Sequence, residues 1–203
     1  MDHRLPIRMT PLTAPGRLAL ALLALAAAGA CRGNATDKLA ENGITPVYNE
    51  QSGRLDQLLS DRNHDGKNET RAFMDGVVIK SVEIDRNGDS TPDRWEYYNA
   101  APNVIDHAEE ANGPDARISR REFYADGVIR RVVDDTDFDG RPDKWEQYEG
   151  GALSEVELDL VGKGYASQRL VYAASGDVVR IETDPDGDGV FVPAGPREPG
   201  KGM

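Results

Sequence analysis

Cysteine is nearly absent. The 203 residues hold one, Cys31, so no disulfide can form within the chain. Histidine numbers only three. Beyond the N-terminal segment His64 and His107 remain, no Gly-x-Ser-x-Gly elbow occurs, and Gly162-Lys163-Gly164 is too short for a phosphate loop. An enzyme is not expected from so thin a supply of catalytic groups. Base is scarce relative to acid: 24 Lys and Arg face 36 Asp and Glu, a formal net charge of −12. Such a surface repels nucleic acid and anionic lipid and attracts divalent cations. Long amphipathic helical periods are missing too, and the hydrophobic fraction is 38%. A helical bundle is excluded, and a thick core is not expected.

Residues 1–30 read as a leader rather than as fold. Arg4, Arg8 and Arg17 surround and precede an apolar run, Leu18 to Ala28, that is too short and too alanine-rich for a membrane span. The basic stretch is long for a leader, which leaves Met9 as an alternative start. Ala28-Gly29-Ala30-Cys31 has the form of a lipobox, with Ala28 where leucine is usual. Cys31 is therefore expected to carry lipid, because the sole cysteine stands at the required place. Ordinary leader cleavage with Cys31 as a bystander is the weaker alternative. An exported, lipid-anchored bacterial envelope protein follows as the expectation. Arg32, in place of an aspartate, points to the outer membrane by the sorting rule of some diderm bacteria.

Acid is concentrated in a series of short loops. Asp135-Thr-Asp-Phe-Asp-Gly-Arg-Pro-Asp-Lys-Trp-Glu146 places carboxylates at positions 1, 3, 5, 9 and 12 and glycine at position 6. This is the D-x-[DN]-x-[DN]-G-x₅-E spacing, in which alternate side chains of a tight turn converge on one hard cation. The loop from Asp85 to Glu96 repeats it with Ser90 in place of the glycine. The loop from Asp61 keeps Asn63, Asp65, Gly66 and Glu69 but has Ala72 at position 12. The loop from Asp184 keeps Asp186, Asp188 and Gly189, then runs into Val190, Phe191 and Val192. Asp61 and Asp85 stand 24 residues apart, and the same step from Asp135 reaches Asp159, where the other ligands are lost. The backward step reaches Asn112-Gly-Pro-Asp115, which reads as a plain turn. A fixed period of this length marks a repeat architecture.

The DxDxDGxPDxWE wording resembles the calcium-binding aspartate-rich repeats of bacterial surface proteins, which are similar to thrombospondin type 3 repeats and EF-hand loops. The resemblance implies calcium as the ion. Its ligands in the best loop would be Asp135, Asp137, Asp139, Asp143 and Glu146, with the Arg141 carbonyl completing the shell. In the second loop they would be Asp85, Asn87, Asp89, Asp93 and Glu96. Asp61, Asn63, Asp65 and Glu69, and then Asp184, Asp186 and Asp188, form two partial sets. Magnesium fits less well, since it prefers rigid octahedra and retained water. Pro92 and Pro142 at position 8 depart from the EF-hand, and so do the flanks. Val128 to Val133 enters the best loop as a β-branched run, which favours strand over helix.

Between the loops lie pairs of apolar runs around Asp75-Gly76, Asp126-Gly127, Gly150-Gly151 and Ser175-Gly-Asp177, the short signal of a β-hairpin. The pair starting at Arg94 is irregular, and its continuation through Pro102 and Asp106 to Glu110 reads as a longer connection with a helical turn. The expected fold is mainly β: antiparallel hairpin repeats in a single twisted meander sheet, joined by the acidic loops. Residues 31–55 read as a flexible tether from Cys31, 56–192 as the hairpin-repeat domain and 193–203 as a disordered tail. Tyr98, Tyr124, Tyr148 and Tyr172 share one repeat position and read as a structural stripe rather than a cofactor box. Trp95 and Trp145 each read as packing their own loop down. The function expected is a calcium-binding, non-enzymatic envelope protein that scaffolds or adheres. It would be held to the membrane through Cys31 and meet an envelope protein or polysaccharide. The competing expectation is a ligand- or protein-binding β-repeat module whose acidic loops are metal-free turns, since Asp, Asn and Gly form turns unaided.

Overall fold

The computed structural model describes residues 39–99 and 103–194. The leader, Cys31 and residues 195–203 lie outside them. Thirteen strands form one open antiparallel sheet in strict chain order. Six hairpins make it up. β1 (Ile44–Tyr48) pairs β2 (Leu55–Ser60), β3 (Thr70–Asp75) pairs β4 (Val78–Ile84), and β5 (Arg94–Tyr98) pairs β6 (Ile105–Glu110). β7 (Arg120–Ala125) pairs β8 (Val128–Asp134), β9 (Lys144–Glu149) pairs β10 (Ala152–Leu158), and β11 (Gln168–Tyr172) pairs β12 (Val178–Thr183). A two-residue strand, β13 (Val192–Pro193), closes the series. Among the described residues, helix appears only at 39–41. The single meander sheet is thus the observed fold.

Two boundaries differ from expectation. The segment read as tether contains β1 and the β1–β2 turn, where Asn49 accepts the N–H groups of Gln51 and Ser52. Ile44 and Leu55 pack on the apolar cluster of the next hairpin, so this segment is anchored. The stretch read as a helical turn is the strand β6. Its Ala108 is fully buried between Glu96 and Glu122 of the neighbouring strands, and a small residue is what those flanking glutamates leave room for. Tertiary packing has overridden a weak local preference.

In a meander the hairpin turns gather at one end and the connecting loops at the other. At the turn end, Asp126 and Gly127 both have positive φ, the type I′ pattern that follows strand twist. Every connecting loop lies at the opposite end. Strands pair only with their neighbours in sequence, and the Arg94 side chain on β5 reaches across β6 to Glu122 on β7. Proline stands in both outermost strands, Pro46 in β1 and Pro193 in β13. A proline on an edge withholds a ladder N–H and discourages further pairing.

A single layer has to bury one face with its own side chains. In the first third this is done by Leu58, Ala72, Met74, Ile79 and Val82. From β5 to β9 a grid of charge replaces them. One register row reads Arg94, Glu110, Arg120, Asp134, Lys144, alternating in sign at every strand. The next row reads Glu96, Ala108, Glu122, Val132, Glu146, alternating acid with small apolar. Arg94 is fully buried and donates to Glu96 at 2.8 Å, to Glu122 at 3.0 Å and to Glu110. Arg120 donates to Glu122 at 3.0 Å and Asp134 at 2.6 Å. The tyrosine stripe closes the grid: Tyr98, Tyr124 and Tyr148 donate their hydroxyls to Glu96, Glu122 and Glu146 at 2.6–2.8 Å. The stripe is structural.

Candidate metal centre

The six loops share one set of closing hydrogen bonds, each kind made in five of them. The first residue of the next loop donates its N–H to the ninth residue of the loop before: Asp85 to Glu69, Ala111 to Asp93, Asp135 to Ser119, Asp159 to Asp143, and Asp184 to Ser167. The ninth side chain then reaches back over its own loop. Glu69, Asp93, Ser119, Asp143 and Ser167 each accept the N–H of the second residue, at 2.8–3.1 Å. The first aspartate folds the rest inward. Asp61, Asp85, Asp135, Asp159 and Asp184 each accept the N–H of the sixth residue, at 2.6–2.9 Å.

The sixth residue lies in the left-handed region in every loop: Gly66, Ser90, Ala116, Gly140, Gly164 and Gly189. For an L-residue that conformation costs roughly 1–2 kcal/mol, so Ser90 holds its place under strain. Ser90→Gly is expected to raise stability by up to about 1 kcal/mol, the relief of that strain less the extra freedom of glycine in the unfolded chain. Urea midpoints would check it, and a lowered midpoint would show that Ser90 contributes a contact outweighing its strain.

Three loops bring carboxylates together. In each, one oxygen per residue lies within 4.8 Å of the others: Asp61, Asp65 and Glu69; Asp135, Asp137 and Asp143; Asp184, Asp186 and Asp188. A cation there would meet an all-oxygen donor set of the kind calcium takes. The first aspartates already accept backbone N–H groups, yet a carboxylate offers about four lone-pair directions and so can hold an ion as well. Burial works against ionisation of Asp184, but the N–H groups of Gly189 and Gly187 outweigh it and hold its carboxyl below the usual range. The donor sets therefore fit calcium. Asp139 stands outside the second group, with its Oδ1 on the Arg141 N–H at 2.8 Å. A cleft between this loop and the next is lined by Asp137, Asp139, Asp143 and Asp159.

The Asp85 loop differs. Among the described residues its acids form no such group. Asn63 and Asn87 turn their side-chain oxygens to the N–H groups of Asp65 and Asp89. Asp93 Oδ1 is buried without a hydrogen-bond partner and has only Arg86 Nε at 4.0 Å.

Position 12 is where the loop pattern misleads. Glu96 and Glu146 sit on β5 and β9 within the charge grid, not over their loops. Glu96 is 1% exposed, with its oxygens on Arg94 and Tyr98. Glu146 accepts from Lys144 at 2.5 Å and Tyr148 at 2.6 Å. Burial works to raise its carboxyl, but the Lys144 and Tyr148 hydrogen bonds prevail and hold it below the ordinary value. Neither glutamate joins a loop cluster. Trp95 and Trp145 are the second residues of β5 and β9, between Glu83 and Glu109 and between Val133 and Glu157. The residues missed by reading the loops alone are Glu110, Glu122, Arg94 and Arg120. The signal for all but Glu110 was the period-two triplet Arg94-x-Glu96-x-Tyr98, repeated at Arg120-x-Glu122-x-Tyr124 and Lys144-x-Glu146-x-Tyr148.

Fold and loops together define a class: an open single-sheet repeat protein with a loop of common design at one end of each hairpin, acid-rich in four of the six. No family model matches the chain, and no curated protein does. Among solved structures it is similar to a chain in the crystal structure of accessory secretory protein 1,2 and 3 in Streptococcus pneumoniae. The identity is 16%, the TM-score 0.27, and the match covers 61% of this chain and 20% of that one. At that TM-score the likeness bears on neither fold nor function.

Proposed function

We propose that this protein is a calcium-binding, non-enzymatic scaffold of the bacterial cell envelope, held to a membrane through lipid on Cys31. The observation that carries the proposal is the recurrence of three carboxylate groups, at 61/65/69, 135/137/143 and 184/186/188, at the same end of one sheet. Extracellular sites commonly bind calcium at around 10⁻⁴ to 10⁻³ M, which suits constant occupancy outside the cell rather than sensing. The envelope assignment rests on the leader and lipobox pattern of residues 1–31. The ligands proposed are now the carboxylates at the first nine loop positions, without Glu96 and Glu146.

One observation favours the competing reading of metal-free turns. The Asp159 loop closes with the same hydrogen bonds while lacking the other acids. Isothermal titration of calcium into the chelator-treated protein separates the two. Saturable heat that falls in Asp135→Asn/Asp143→Asn, with the sheet retained by circular dichroism, is the expected result. An absence of saturable heat up to 10 mM, roughly ten times the weakest common extracellular affinity, would leave the loops as acidic turns.

A further inference from the structure

The face of the sheet opposite the charge grid carries a second pair of register rows. The first, from β3 to β7, reads Arg71, Glu83, Trp95, Glu109, Arg121. The row beside it reads Phe73, Ser81, Tyr97, His107, Phe123. Both are open to solvent: Arg71 and Arg121 are 49% and 47% exposed, Glu83 and Glu109 are 28% and 26%, and His107 is 37%. Phe123 is 39% exposed. Tyr97 and His107 stack at 4.4 Å between ring centroids. A sheet face bearing aromatics is normally covered by a second layer, and among the described residues this chain supplies none.

From these rows we infer that the face binds the same face of a second copy, about a two-fold axis that runs between the two rows and across the strands. Over the strip from β3 to β7 that axis lays each strand over its own counterpart and exchanges the two rows. Arg71 then meets the partner copy's Phe ring at the equivalent of Phe73, and Arg121 meets the equivalent of Phe123, the arrangement of a cation over an aromatic face. Trp95 meets Tyr97. Glu83 meets the Ser81 hydroxyl. Glu109 meets His107, whose Nδ1 already faces Asp106 Oδ2 at 2.8 Å, leaving Nε2 for the partner copy.

A two-fold along the strands through β5 fails on charge. It would set Arg71 against Arg121 and Glu83 against Glu109, which juxtaposes like charges. The strip is also balanced, two arginines against two acids, in a chain of net charge −12. Two copies can approach here without the repulsion that the rest of the surface imposes. The contact is isologous and closes as a dimer, so it does not propagate into fibres.

Sedimentation equilibrium of the full-length chain in detergent tests the assignment, with the mass of the detergent matched out and the run made with calcium and with chelator. A mass twice that of one chain is expected in both, which keeps the outcome separate from the metal proposal. Glu109→Lys is expected to weaken the dimer about tenfold or more, because it removes the acceptor that faces His107 and sets a second positive charge beside Arg121 in place of their ion pair. Adding His107→Glu to it exchanges the two partners and is expected to restore the dimer. Far-UV circular dichroism checks that each variant keeps the sheet. A monomeric parent protein, a dimer indifferent to Glu109→Lys, or a double variant no tighter than the single would each overturn the inference.

Discussion

Arg94→Ala is expected to destabilise the sheet by about 3–5 kcal/mol, the usual cost of removing one partner from a buried charge cluster. The magnitude follows from what is left behind. Arg94 is fully buried and serves three carboxylates, Glu96, Glu110 and Glu122. Without the guanidinium, Glu96 retains the Tyr98 hydroxyl, Glu110 retains Arg86 and Asn112, and Glu122 retains Arg120 and the Tyr124 hydroxyl. Each keeps a hydrogen-bond partner while losing its central counter-charge in a place water does not reach. The loss should be local, because strands pair only with their neighbours and Arg94 reaches from β5 across β6 to β7. Amide exchange of β5 to β7 is expected to accelerate most, with the apolar cluster of β2 to β4 less affected. An even loss of protection across all strands, or a change below about 1 kcal/mol, would mean that the grid is worth no more than a surface ion pair. Replacing Arg94, Glu96, Glu110 and Glu122 together by apolar residues of similar volume is a different experiment. Buried charge clusters often lose nothing when exchanged whole.

Calcium is expected to produce the second large effect. An ion that binds only the folded protein adds about 2.7 kcal/mol at a hundred times its dissociation constant. Three carboxylate groups at successive points along the sheet would each contribute such an increment. The loops are where the increment is needed, since their acids repel one another and are mostly exposed. Thermal unfolding is therefore expected to shift up markedly on adding calcium to chelated protein, and much less on adding magnesium. Asp184→Asn/Asp188→Asn should remove one increment and leave the others. Equal midpoints with calcium and with chelator would sink the proposal that the ion fastens this fold.

Much of the architecture was legible in the chain. Asp-Gly and Gly-Gly between β-branched runs announced the hairpins, and the 24-residue step announced the repeat. The position-six turn was legible from Gly66, Gly140 and Gly189, and Ser90 and Ala116 show that the loop imposes its conformation even where glycine is missing. What misled was a collision of two periods on the same residues. Glu96 and Glu146 fall at position 12 of a loop pattern and also at the centre of an Arg/Lys-x-Glu-x-Tyr strand triplet. The strand won, because a side chain on a strand has its direction fixed by the pleat. The strand β6 was illegible for a related reason. Ile-Asp-His-Ala-Glu-Glu has little strand character of its own, and only the neighbours Arg94 and Arg120 explain why Glu110 and Ala108 belong in a sheet.

Nearest-neighbour strand pairing and proline-bearing outer strands together make length an inherited variable. Each hairpin with its loop adds two strands, roughly 9–10 Å of sheet at the usual spacing, and shares surfaces only with the units before and after it. A genetic duplication or loss of one whole unit would alter reach in fixed increments while leaving both terminal strands as they are. The molecule is built as a ruler whose graduations can be added or removed without redrawing its ends.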